Sequence, residues 1–105
     1  MSGVDGVSVA MITREEAERL VLDHLNADAP PARRAAVVDV WLKPYGWVFL
    51  YNSEAYVRDG NRLARFLGNG PMVVMHDRSI HPLGSATSAA DEVASFERQR
   101  GLSAG

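Results

Sequence analysis

Residues 46–86 read GWVFLYNSEAYVRDGNRLARFLGNGPMVVMHDRSIHPLGSA, and this stretch decides the fold. Trp47 to Ser53 alternate as a strand does, with Trp47, Phe49 and Tyr51 on one side and Val48 and Leu50 on the other. Large apolar groups on both sides predict a central strand covered on both faces. Asp59-Gly60-Asn61 reads as a turn. Leu63, Phe66 and Leu67 stand at helical spacing and predict a short helix over Arg62 to Leu67, with Gly68 as its left-handed stop. Gly70-Pro71 leads into an apolar third strand, Met72 to His76. Asp77-Arg78-Ser79 is the expected hairpin turn and Ile80 to Leu83 a short fourth strand. Pro82 has no N–H for a ladder hydrogen bond, which favours a sheet edge.

Upstream, Ala36 to Lys43 alternates as the first strand. Val38, Val40 and Leu42 are expected on one face, and Val37, Asp39, Trp41 and Lys43 on the other. The turn Pro44-Tyr45-Gly46 joins it to the next strand as an antiparallel hairpin. Further upstream, Thr13-Arg14-Glu15-Glu16 is a capping box. A helix follows to about Asn26, with Ala17, Leu20, Val21, His24 and Leu25 on one stripe, and Pro30-Pro31 ends it. Downstream, Ser88 caps a last helix that runs to about Arg100. Ala89, Val93 and Phe96 form its apolar face, and Gly101 stops it. The fold class is α+β: a small antiparallel sheet of about four strands, N- and C-terminal helices packed on it, and a short helix between the two hairpins. Residues 1–10 are expected to be a disordered tail, 11–101 a single domain, and 102–105 a second disordered tail.

A chain of 105 residues makes one domain with one modest core. The net charge of −2 and the lack of a Lys/Arg cluster argue against a nucleic-acid partner. With no cysteine there are no disulfides, thiolate metal sites or cysteine nucleophiles, which suits a reducing cytoplasm. No apolar run reaches the roughly 20 residues that span a bilayer. Met1 to Ala10 has no basic region and contains Asp5, unlike a secretory signal. A cytoplasmic protein is the expectation.

Catalytic signals are weak. His24 has no second ligand one helical turn away, and a partly buried histidine satisfied by the sheet is the simpler reading. His76 and His81 flank the Asp77 turn, where a weak metal site or acid–base pair would need a third ligand that is absent. Ser79 beside His81 lacks a nucleophile elbow. Glu54 and Asp59, near the aromatic strand, would have to face each other across a sugar cleft to act as a glycosidase pair. Gly68-Asn69-Gly70 lacks the lysine of a phosphate loop and precedes a strand rather than a helix. No catalytic residue, no metal ligand and no cofactor is assigned.

The aromatic residues are more informative. Trp41, Tyr45, Trp47, Tyr51 and Tyr56 crowd one hairpin and its exit. Trp and Tyr dominate binding hot spots, so Trp41, Tyr45 and Tyr56 are candidate protein-binding anchors, with Arg58, Arg62 and Arg65 as polar partners. Glu15, Glu18 and Asp23 on the first helix, and Asp91, Glu92 and Glu97 on the last, read as solvated faces.

Three pieces of the sequence carry a resemblance: Gly46-Trp47-Val48-Phe49, then Gly68-Asn69-Gly70-Pro71 with Met72 to Met75, and Ile80-His81-Pro82-Leu83-Gly84. Their order and spacing resemble the bacterial YrhB-like domain, the immunity protein 35 family of polymorphic toxin systems, over roughly Met11 to Gly101. The resemblance implies a small α+β protein that neutralises a cognate toxin by binding it, as a monomer or weak homodimer, and that is not an enzyme. It implies that Gly46, Trp47, Gly68, Asn69, Gly70, Pro71, His81, Leu83 and Gly84 are structural, with His81 positioning its strand and the turn into the last helix. The turn Asp77-Arg78-Ser79 departs from the family pattern, which often has a glycine there. The alternative within the resemblance is a chaperone-like or general protein-binding accessory domain. A small enzyme built on His76, Asp77 and His81 is the reading from a different class.

Overall fold

The computed structural model describes residues 12–103. The tail expected over residues 1–10 lies outside the described residues. The order of elements is α1 (Arg14–Asn26), β1 (Ala35–Lys43), β2 (Gly46–Ser53), α2 (Glu54–Asp59), β3 (Met72–Met75), β4 (Ile80–Pro82) and α3 (Ala89–Arg100). One-turn 3-10 helices cover Pro31–Arg33 and Arg62–Ala64. The four strands form one antiparallel sheet in sequence order.

The register sorts the side chains into two cores. One row runs Leu42, Trp47, Val74 and Ile80, and a neighbouring one Val40, Phe49, Met72 and Pro82. Trp47, Phe49, Met72 and Val74 pack with Ile12, Ala17 and Val21 from α1 and the residue before its cap. The intervening row, Trp41, Val48, Val73 and His81, faces the other way. There Val48 and Val73 join Tyr45 with Val93 and Phe96 of α3. The terminal helices therefore cover opposite faces, and β2 is buried on both, which accounts for its unbroken apolar run. Full burial of Phe49 and the valines on both sides contributes roughly 1.5–3 kcal/mol per side chain.

The strict alternation expected of β1 fails at one residue. Val37 pairs with Tyr51, but Asp39 pairs with Leu50, so Val38 is an extra residue in a β-bulge. Val37 and Val40 consequently both pack toward α1, while Val38 is left exposed.

The helix ends are set by local chemistry. Thr13 Oγ1 accepts the Glu16 N–H at 3.1 Å, and Glu16 Oε1 accepts the Thr13 N–H at 2.9 Å. At the other end of α1, the Asn26 side chain brackets the backbone of Ala35, accepting its N–H at 2.7 Å and donating to its carbonyl at 3.3 Å. Helix α3 begins at Ser88, whose Oγ accepts the Asp91 N–H, and ends at a left-handed Gly101. The Leu102 N–H returns to the Glu97 carbonyl at 2.9 Å and its side chain packs on the second core. Leu102, expected in the C-terminal tail, is thus part of the folded domain.

Residues 54–67 differ most from expectation. Glu54 to Asp59 form α2, capped by Ser53 Oγ on the Tyr56 N–H and ended by Gly60. The helix expected over Arg62 to Leu67 is a single 3-10 turn, because Arg65 turns to an extended conformation. The cause lies across space. Asn52 Oδ1 accepts the Phe66 N–H at 2.7 Å and Asn52 Nδ2 donates to the Phe66 carbonyl, so this backbone is bonded outward rather than along a helix.

Candidate functional site

The surface around α2 and the loop at 61–69 gathers four of the six residues singled out for binding. Tyr56 lies beneath the Arg65 guanidinium, 5.9 Å from its ring centroid. Arg58 pairs with Glu54 one turn away at 3.3 Å, in solvent, so the pair adds little stability. Arg62 opens the 3-10 turn and is exposed. The same loop leaves Leu63 at 99% and Leu67 at 78% of full exposure. Phe66, between them, turns inward and meets Tyr51 edge-on at 6.5 Å, with the Arg33 guanidinium over its outer face at 5.2 Å. Beside it lies a cup of about 350 Å³, walled by Leu25, Tyr51, Phe66, Leu67 and Asn69, with Arg33 at its rim. Burial raises the Tyr51 phenol pKa above its ordinary value, with a hydrogen bond to the Asn69 side chain acting in the opposite direction.

Trp41 and Tyr45 do not belong to that surface. Trp41 is half-buried on the α3 face, and its Nε1–H donates to Asp39 Oδ2 at 3.2 Å. Tyr45 is a correction to the sequence reading: it is 8% exposed, within the second core. Its hydroxyl donates to Glu97 Oε2 at 2.7 Å, and Lys43 Nζ meets the same oxygen at 3.0 Å. Burial, then the Glu97 carboxylate, raise the Tyr45 phenol pKa strongly. Glu97, expected on a solvated face, is a buried acceptor that fastens the β1–β2 turn to α3. Tyr45 is therefore held inside the fold and presents almost no surface of its own.

The histidines separate. His24 is exposed. His76 stands edge-on to Trp47 at 5.0 Å, with Nε2 against the Pro44 carbonyl at 3.2 Å. His81 packs on Phe96 on the opposite face, at 5.5 Å between ring centroids. Asp77, Ser79 and His81 do form a chain, but its polarity is wrong for a nucleophile. Asp77 Oδ1 accepts both the Ser79 hydroxyl and the Ser79 N–H, which hold its carboxyl below the usual range. The Ser79 proton is thus committed to Asp77, and His81 Nε2–H must donate to Ser79 Oγ at 2.8 Å. Nδ1 then carries the lone pair and accepts from Arg100 Nη2 at 3.3 Å. His81 is a donor to Ser79, whereas activation would require it to accept the serine proton. Among the described residues no three His, Cys, Asp or Glu side chains come together to hold a metal ion.

The remaining motif residues meet at backbone joints. A Cβ on Gly46 would lie 2.1 Å from the Val74 carbonyl oxygen, and one on Gly70 would lie 2.2 Å from the carbonyl oxygens of both Leu83 and Gly84. Gly68-Asn69-Gly70-Pro71 and Leu83-Gly84 are thus packed backbone to backbone, and Ser85 Oγ seals the joint by donating to the Gly68 carbonyl at 2.7 Å. Asn69 Nδ2 donates to the Tyr51 carbonyl at 2.7 Å, and the Leu83 N–H to the Pro71 carbonyl at 2.9 Å.

A family model described as immunity protein 35 matches residues 15–96. The chain belongs to the immunity protein 35 family. No curated protein and no solved structure matches it. The matched span runs from the first turn of α1 to Phe96 in α3, so it takes in both terminal helices and every strand of this family member. Among the described residues no helix is long and apolar enough to cross a membrane.

Sequence reasoning found the arginines and Tyr56 but not Leu63 and Leu67 as surface residues, because their helical spacing with Phe66 reads as one buried stripe. It also missed Arg33, which is distant in sequence. The N-cap Ser53 and the stop Gly60 were the available signals for α2.

Proposed function

We propose that this protein is an immunity protein of a bacterial polymorphic toxin system, acting in the cytoplasm by binding a cognate toxin and blocking it. The observation that carries this reading is the family match over residues 15–96. Such neutralisation needs surface complementarity and no chemistry, which fits a site made of arginines and exposed apolar groups better than the Ser79–His81 chain, whose protons run the wrong way for catalysis. An interface of standard size would cover roughly 800 Å² of this chain. The test is co-expression with the toxin domain encoded beside this gene. Restored growth and a stoichiometric complex on size exclusion are expected. Unrelieved toxicity with no complex would overturn the reading, and capture of many unfolded proteins instead would point to a chaperone-like role.

A further inference from the structure

The Leu63–Leu67 loop has features that the fold itself does not require. Leu63 and Leu67 bury almost nothing, so neither supports either core. A single exposed leucine is ordinary. Here two project from a loop whose backbone is held at several points. Asn61 Oδ1 accepts the Leu63 N–H at 3.1 Å, Asn52 clasps Phe66 on both sides, and Asn69 and Ser85 fix the chain just beyond. A loop ordered before a partner arrives loses less conformational entropy on binding, so its exposed apolar groups contribute more to affinity.

The charges around these leucines are mostly positive, Asp59 at the end of α2 being the one carboxylate of residues 54–67 outside the Arg58–Glu54 pair. From Gly60 to His76 the only charged residues are Arg62 and Arg65. Arg33 is brought alongside by its stacking on Phe66, and Arg58 already neutralises Glu54. The whole chain is nevertheless net negative at −2, so this end of the molecule has the opposite sign to the rest.

We propose that the surface formed by Leu63, Leu67, Arg33, Arg62 and Arg65 is the docking site for an acidic protein segment that carries at least one large apolar side chain. The apolar group enters the cup beside Leu67 and Phe66. Its flanking Asp or Glu carboxylates meet the guanidinium groups, which favour planar carboxylates. A polyanion alone fits less well, since the exposed Leu63 and Leu67 neither pair with phosphate nor stack on bases. Identifying that segment as part of the toxin rests on the immunity reading above.

The test is a selection of random dodecapeptides displayed on phage against the full chain, followed by affinity measurement on two double variants, R62E/R65E and L63S/L67S. Their thermal unfolding checks that both are folded. Selected peptides should combine Asp or Glu with Leu, Phe or Trp, and each double variant should weaken them about tenfold or more. Basic peptides, or peptides that bind both variants unchanged, would overturn the proposal. So would a single-stranded oligonucleotide that binds the chain, loses that binding in R62E/R65E and keeps it in L63S/L67S. The same variants in the toxin co-expression assay separate this proposal from the immunity reading. A chain that never protects but selects acidic peptides here keeps the surface and loses the immunity role. Protection that survives both double variants keeps the immunity role and removes the toxin from this surface.

Discussion

At the Pro44 end of the sheet, Tyr45 lies against Glu97, out of water, with the partly buried Lys43 on the same carboxylate. Past the opposite end of β2, Tyr56 lies under Arg65 in a setting rich in arginine and exposed leucine. The two regions look alike in sequence, each an aromatic residue among cations near a turn. What separates them is a carboxylate that arrives from 52 residues away and is buried at one end, whereas at the other Glu54 comes from one helical turn away and meets Arg58 in solvent. Charge near an aromatic group is thus a sign of binding only where the fold has not already supplied the partner.

The largest effect expected from breaking this contrast is at Glu97. Replacing it with Ala leaves the buried Tyr45 hydroxyl without its acceptor, removes the Lys43–Glu97 ion pair and should cost about 2–3 kcal/mol, read by chemical denaturation. A loss under about 1 kcal/mol would mean that the corner is wetter than its burial implies. Tyr45→Phe removes one hydrogen bond and keeps the ring against Phe96, so a loss of about 1 kcal/mol is expected in the same measurement.

A smaller effect is expected from pH at the third contact between sheet and α3. Burial and then Arg100 depress the His81 imidazole below its ordinary 6.5, while Asp77 acts in the opposite direction. With the folded-state pKa below the unfolded one, the unfolded chain takes up the proton first as pH falls. The stability contributed by neutral His81 is complete above about pH 6.5 and is lost as pH falls through the folded value. The melting temperature should therefore drop on acidification from about pH 7.5 to 5.5, before most carboxylates titrate, and His81→Gln should flatten that slope. A slope that survives His81→Gln belongs to another group.

The smallest effect is the most telling for the other side of the comparison. L63S/L67S should change stability by less than about 0.5 kcal/mol, because Leu63 stays fully exposed on folding and Leu67 largely so. A loss near 2 kcal/mol would show that the loop packs on the domain in solution and is no free surface.

Features with a local signature were legible in the sequence. The capping box at Thr13, the Ser88 cap, the Gly101 stop, both hairpins and the central placement of β2 depend on residues a few positions apart. The Val38 bulge was not legible, since an extra residue in one strand shows only against its partner. The burial of Tyr45 and Glu97 was hidden for the same reason. The loop at 62–67 has honest helical spacing, and only Asn52, ten residues upstream of Arg62, reveals why it does not form. Arg78 is a case in between. The turn has no glycine, and Arg78 takes the left-handed conformation glycine would favour, at φ 74°. The turn keeps its shape without it because Asp77 caps the Ser79 N–H.

The bulge at Val38 bears on behaviour at high concentration. An open sheet has two rows of unsatisfied backbone groups that invite other chains to join. Here one row is offset by an extra residue halfway along β1, and the other belongs to a three-residue strand ending in Pro82. Neither offers a straight template on which a second copy can lengthen the ladder. The chain can then accumulate without polymerising, and contact with a partner is left to side chains, where a few substitutions can retune it.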